Sequence, residues 1–148
     1  MNFAPINTMT EHQVILVKRT WKLFREIDPL IVGDTFYSKL FTDHPALSKS
    51  FPKDMRTQYR NLVDMINRIV FRLDKPVELS EDIMNMVLPK TQYGIRSVHL
   101  TWIGTALLWT IRQGLGSDWT EEVKTAWTVC YSIVADIMIS SFTMTITR

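Results

Sequence analysis

The stretch 86–109, MVLPKTQYGIRSVHLTWIGTALLW, decides the fold class of this chain. Its second half begins a helical pattern, from Ser97 to Leu115, that stops at Gly114 and Gly116, and glycine is a common residue just past a helix end. Its first half closes a shorter helix that we expect to begin near Ser80. Because proline removes a helix hydrogen bond, Pro89 is expected to break or kink that helix.

The rest of the chain has the same helical character. The sequence predicts a first helix after a Thr10–Gln13 capping box, a second from Asp28-Pro29, a third over 53–73, and a last one from Thr120. No hairpin signal or alternating pattern typical of strands competes with these helices. We therefore predict an all-α single domain over residues 1–148, with six or seven helices. Its buried residues should include Phe51, Leu62, Leu107 and Trp127.

Composition limits the classes of function. The 148 residues are 46% hydrophobic and carry a net charge of +2 without charge blocks, so nothing points to nucleic acid. Cys130 has no partner for an internal disulfide, and no signal-peptide pattern opens the chain, so a cytoplasmic location is expected. Residues 127–146 are about as long as a membrane span. Asp136 near the middle would cost about 2.5–3.5 kcal/mol there, so we expect no membrane insertion.

Six ordered motifs carry a family resemblance. Trp21 lies on the first helix, and FYSKLF (36–41), HPALSKSFP (44–52), MRTQYRNLVDMI (55–66), VHLTWIGTALLW (98–109) and WTVCYSIVADIM (127–138) follow. In this order and spacing the chain resembles the globin family, particularly its single-domain bacterial and neuroglobin-like members. The resemblance covers roughly residues 10–146. It implies the globin fold and a haem b cofactor.

The resemblance also implies one side of a haem pocket. Phe51 matches the phenylalanine that stacks on haem, and Gln58 and Leu62 match positions over the haem. Tyr37 and Gln58 would be the two polar residues facing an iron-bound ligand, where a hydroxyl and an amide can donate hydrogen bonds. Without the resemblance, composition alone favours an ordinary core tyrosine at Tyr37 and a solvated helix residue at Gln58.

On the opposite side of the implied haem pocket, the chain departs from the globin family. Lys90 stands where globins carry the histidine that binds iron, and no histidine lies between residues 45 and 98. A lysine amine binds iron only when neutral, and deprotonating an ordinary lysine at pH 7 costs about 4–5 kcal/mol. Burial lowers that cost. Lys90 is therefore a candidate metal ligand, with a solvated lysine as the alternative. Weaker candidates are Tyr93, as a phenolate, and the thioethers of Met84 and Met86.

His12, His44 and His99 complete the histidine inventory. We expect His12 and His44 at the surface, and His99 partly buried at a helix start without binding iron.

Two classes of function remain open. The first is a haem protein with non-histidine ligation that binds or senses a diatomic gas or performs redox chemistry, with electrons from an outside donor. The second is a haem-free globin-fold module that regulates or interacts through its surface. Whether the chain is an enzyme stays open, since no acid/base, nucleophile or phosphate-loop constellation is evident. The last helix is apolar nearly all round, which predicts a homodimer through the last two helices.

Overall fold

The computed structural model describes the backbone of residues 8–90 and 96–146 and the side chains of residues 8–86 and 96–140. Within those ranges there is no strand, and short 3-10 segments lie at Pro45–Ser50 and Gly116–Asp118. The α-helices are α1 (Glu11–Phe24), α2 (Pro29–Asp43), α3 (Arg56–Phe71), α4 (Pro76–Lys90), α5 (His99–Leu115) and α6 (Glu121–Ile146). The all-α prediction is confirmed.

Most helix ends lie where local sequence chemistry places them. The Thr10 hydroxyl accepts from the Gln13 backbone N–H and the Gln13 side chain accepts from the Thr10 N–H, which forms the expected capping box. Asp28 caps α2 ahead of Pro29, and Thr120 accepts from Val123 at the start of α6. At the end of α5, Gly116 has φ 55°, a left-handed conformation that favours glycine.

One expectation for α4 was wrong. The helix begins at Pro76 rather than near Ser80, because proline fits a first helical turn, where its missing N–H would have no partner. It includes Pro89 and ends one residue later, at Lys90, and the break or kink expected at Pro89 stays a prediction. The side chains of residues 87–90 and all of 91–95 lie outside the described residues.

The main core joins α1, α3, α4, α5 and α6, with Val32 from α2. The Trp21 and Phe24 rings stack at 5.2 Å, and Trp127 meets Trp21 edge-on at 6.2 Å. The Trp127 indole donates to the Thr20 hydroxyl at 2.9 Å, which satisfies its buried N–H. The predicted burial of Trp127 is confirmed.

Burial was overestimated for three predicted core residues. Phe51, Leu62 and Leu107 are only half-buried. Leu62 and Leu107 pack at the borders of the main core and of a second, smaller core around Phe36, Leu40 and Ala106. Residues at such a border keep one side open, which periodicity alone does not reveal.

Helix α6 buries one stripe of side chains against the core, formed by Val123, Ala126, Trp127, Cys130 and Val134. Burial raises the pKa of the Cys130 thiol to about 12, so this cysteine behaves as a small apolar core residue. None of the described helices is long and apolar enough to cross a membrane.

Candidate functional site

Helices α2 and α3 cross at Gly33, and this crossing positions the candidate site. Gly33 is buried, and a Cβ at this position would overlap the Cα and Cβ of Tyr59. Only glycine allows the two backbones to approach so closely. The crossing therefore holds the start of α3, which carries Gln58 and Tyr59, against the face of α2 that carries Tyr37.

Five aromatic rings form a cluster beside this crossing, which we call the aromatic cluster: Phe36, Tyr37, Phe41, Phe51 and Tyr59. Tyr37 lies at its centre, with ring centroids 4.9 Å from Phe36, 5.5 Å from Phe51 and 5.8 Å from Tyr59. Two separately predicted site residues, Tyr37 and Phe51, are thus brought together by α2 and the corner after it. Leu62, one turn beyond Gln58 on α3, packs against the same small core as Tyr37.

Tyr37 is a neutral hydrogen-bond donor at physiological pH. Burial, with a smaller contribution from Tyr59, raises the pKa of Tyr37 from 10.0 to about 12. Because the unfolded phenol ionises first, the stability associated with this group is present below pH 10 and is lost as pH rises from 10 to about 12. No described residue accepts a hydrogen bond from its hydroxyl, so the donor is available to a ligand.

Gln58 contains an orphaned polar atom. Its Oε1 is buried and has no hydrogen-bond partner among the residues that the structure describes. Leaving such an atom unpaired costs about 1–3 kcal/mol. The interpretation of Gln58 as a solvated helix residue does not agree with this burial. A hydrogen-bond donor from a bound molecule would relieve this cost.

Tyr59 is a site residue that the sequence did not identify. Its hydroxyl donates to Oδ1 of Asp34 at 3.3 Å. Burial raises the pKa of Tyr59, and the negative charge of Asp34 raises it further. The hydrogen bond joins α2 to α3 beside the aromatic cluster. Gly33 next to Asp34 was a usable signal, because a glycine within a helix often marks a close helix crossing.

The proximal candidates are described only in part. Lys90 is the last residue of α4, but its side chain, like the whole of Tyr93, lies outside the described residues. Met86 is half-buried and packs against the main core, in agreement with a space-filling role, and Met84 is half-buried on the same helix. Among the described residues no group of three or more His, Cys, Asp or Glu could hold a metal ion.

The three histidines occupy different environments. His12 is exposed and pairs with Glu122 at 2.9 Å, as expected for a surface residue. His99 is half-buried at the start of α5, where its Nδ1 accepts from the Arg96 N–H at 2.9 Å. The expectation for His44 was wrong, because its ring stacks on Trp102 at 3.9 Å and is half-buried.

Comparison with known proteins agrees with this architecture. A family model described as globin matches residues 34–138. Flavohemoproteins of Xylella fastidiosa and Vibrio cholerae are 29% and 24% identical over 133 and 134 residues, each match covering 88% of this chain. The chain spans about a third of the length of these relatives, 33% and 34% respectively.

Among solved structures, a hexacoordinated heme protein from an anhydrobiotic tardigrade has the same fold. It superposes with a TM-score of 0.84 at 14% identity, covering 93% of this chain and 97% of the other. At this identity the likeness shows the fold alone. The family model spans well over half of the chain, and the all-α architecture is consistent with it. The chain belongs to the globin family.

Proposed function

We propose that this globin binds haem b beside the aromatic cluster, with Lys90 as the ligand of the iron, and binds a diatomic gas on the side of Tyr37 and Gln58. The observation that supports this best is the buried Oε1 of Gln58, to which no residue that the structure describes donates a hydrogen bond. The names of the curated relatives and of the similar structure, flavohemoprotein and heme protein, point to the same cofactor.

The described residues fit such a group. Phe51, Leu62 and Leu107 offer half-buried apolar surface, which suits a flat apolar macrocycle. Tyr37 and Gln58 supply the few polar atoms that fix the orientation of a ligand in an apolar pocket. Haem iron would supply a redox-active Lewis acid to which a diatomic gas can bind.

The protein's own contribution is hydrogen bonding in a dry surrounding. The Tyr37 phenol is protonated at neutral pH, and burial raises its pKa further, so its O–H can donate to a gas ligand that carries partial negative charge. Gln58 can present either its amide oxygen or its N–H₂, since rotation of the terminal torsion exchanges them. The rings of the aromatic cluster exclude water, which strengthens both interactions.

Lys90, the last residue of α4, is proposed as the iron ligand because it stands where globins carry the histidine that binds iron. Its amine must be neutral to donate a lone pair, and an apolar surrounding together with the iron–nitrogen bond would offset the cost of deprotonation. Gas binding, sensing and redox chemistry are all compatible with this arrangement. Redox turnover would draw electrons from a donor outside residues 1–148.

Replacing Tyr37 with phenylalanine, or Gln58 with leucine, is expected to increase the dissociation rate of O₂ from the ferrous protein by about 10–100-fold. The reason is that a hydrogen bond to a charged acceptor contributes about 1.5–3 kcal/mol. Flash photolysis or stopped-flow measurements give the rate. Tyr131→Phe is the matched control, because its hydroxyl donates to the Leu100 carbonyl at 2.6 Å, and it should leave the rate within about twofold. Equal rates in all variants would contradict the assignment of Tyr37 and Gln58.

A homodimer through α5 and α6 is part of the proposal. Ile139 on α6 is 42% exposed, Val129 and Ile133 are half-buried, and Trp109 on α5 is exposed beneath Lys39 Nζ. Trp102, which was also considered for this surface, is already covered by His44. The side chains of Phe142 and Met144 lie outside the described residues.

One chain has a mass of 17.3 kDa. Sedimentation equilibrium of the wild type at micromolar concentration is expected to give twice that mass. The variant Ile139→Asp should sediment as a monomer, since it would bury an unpaired charge in the interface. Val77→Asp on α4, where Val77 is 73% exposed, is the control and should remain dimeric. A monomeric wild type would rule out the dimer.

We also propose a cytoplasmic location. Cys130 is a buried free thiol, which agrees with a reducing compartment, where thiols are not oxidised to disulfides. Fractionation of cells that produce the protein, with a cytoplasmic marker enzyme, tests the location.

A further inference from the structure

A cleft between α1 and the end of α3 lies apart from the aromatic cluster. It has a volume of about 430 Å³. We call it the basic cleft and define it by Lys18, Lys22, Arg25, Asn67, Arg68 and Phe71. Neither Tyr37 nor Gln58 belongs to it.

The basic cleft concentrates positive charge. Four of its residues are cationic, although the whole chain has a net charge of only +2. Lys18 is paired with Asp74 at 3.5 Å, whereas Lys22, Arg25 and Arg68 form no ion pair with any carboxylate that the structure describes. Like charges held together repel each other, so a multivalent anion between them would be bound favourably.

Asn67 adds an oriented polar group. Its Oδ1 accepts from the buried Trp21 indole N–H at 2.6 Å, which fixes the orientation of the amide. The amide N–H₂ is thereby left as the donor end of Asn67. The cleft thus combines cationic groups with a neutral donor of fixed orientation, and both kinds of group can donate to phosphate oxygens.

Phe71 forms an apolar edge of the cleft. Its ring is 65% exposed, and the Lys75 ammonium lies 5.7 Å from the ring centroid. An exposed ring beside cationic groups can stack on a flat group attached to a phosphate chain. The volume suits a small ligand better than the flat surface of a protein partner.

We propose that the basic cleft binds a polyphosphate anion, either inorganic or as part of a nucleotide. Lys22, Arg25 and Arg68 contact the phosphate oxygens, arginine in a bidentate manner and lysine as a point charge. Asn67 donates a further hydrogen bond. This site does not depend on the proposed haem chemistry.

Isothermal titration calorimetry of the whole chain with inorganic tripolyphosphate and with ATP tests the proposal. We expect one site per chain, with affinity that falls between about 20 mM and about 150 mM salt as screening increases. The triple variant Lys22→Ala/Arg25→Ala/Arg68→Ala should bind about tenfold or more weakly. The control Lys49→Ala/Arg112→Ala/Lys124→Ala removes the same charge from exposed positions elsewhere and should bind within about twofold of the wild type.

Equal losses in the two triple variants would overturn the proposal, because they would show a general charge effect, and so would the absence of saturable binding. Far-ultraviolet circular dichroism checks that both triples remain helical. The two ligands separate the two sources of phosphate. If ATP binds more tightly than tripolyphosphate, and Phe71→Ala removes that difference, the cleft is a nucleotide site. Equal affinities for the two ligands identify a site for the phosphate chain alone.

Discussion

Replacing Gly33 with alanine is expected to lower the free energy of unfolding by about 3 kcal/mol, at the upper end of the effect of overpacking a core. The crossing of α2 and α3 decides whether alanine at this position stabilises or destabilises the protein. Helix propensity alone favours alanine over glycine by about 1 kcal/mol. The added Cβ would overlap the Cα and Cβ of Tyr59, and these backbone-linked atoms move only if the helices separate.

Thermal or urea unfolding measures this change, and a loss of 3 kcal/mol corresponds to a decrease in Tm of about 6–12 °C for a chain of this length. Ser38→Ala on the exposed face of the same helix is the control and should stay within about 0.5 kcal/mol of the wild type. A stabilised Gly33→Ala variant would show that helix propensity dominates and that the helices do not approach as closely as described.

Replacing Lys90 with alanine is expected to weaken retention of haem about 100-fold or more. Groups that merely orient a metal ligand are worth about 10–100-fold in affinity, so loss of the ligand itself should have at least that effect. Transfer of haem to an excess of apomyoglobin gives the rate of loss. Lys53→Ala, at an exposed position before α3, is the matched control and should leave retention unchanged.

Lys90→His is the complementary variant. If the family register is right, imidazole at this position should produce the absorption spectrum of a histidine-ligated globin. Haem retention and spectra that are the same in Lys90→Ala as in the wild type would remove Lys90 from the site and leave another group, such as Tyr93, to be tested.

Most of the fold could be predicted because its determinants are local. The capping box at Thr10, the Asp28-Pro29 start and the Gly116 stop each act within a few residues, and the apolar spacing fixes the buried face of each helix. The start of α4 was predicted wrongly for an equally local reason. Proline at position 76 is a better start signal than the Ser80 cap, and both signals occur within one turn of each other.

The site was less predictable because it depends on pairs that are distant in sequence. The Tyr59 hydroxyl meets Asp34 across 25 positions of the chain, and the ring of Tyr37 meets that of Phe51 across a helix end and a corner. The partial exposure of Phe51 likewise follows from where α2 and the following corner end in space. The positions of Tyr37 and Gln58 came from the family register, whereas the orphaned Oε1 of Gln58 is visible only in the structure.

A titration of haem into the purified apoprotein, followed by absorption from the Soret to the visible bands, tests haem binding most directly. The proposal predicts saturation at one haem per chain, and the bands should differ from those of histidine-ligated globins and shift in the Lys90→Ala variant. A spectrum that stays that of free haem throughout the titration would contradict haem binding and would favour a haem-free regulatory or interaction module.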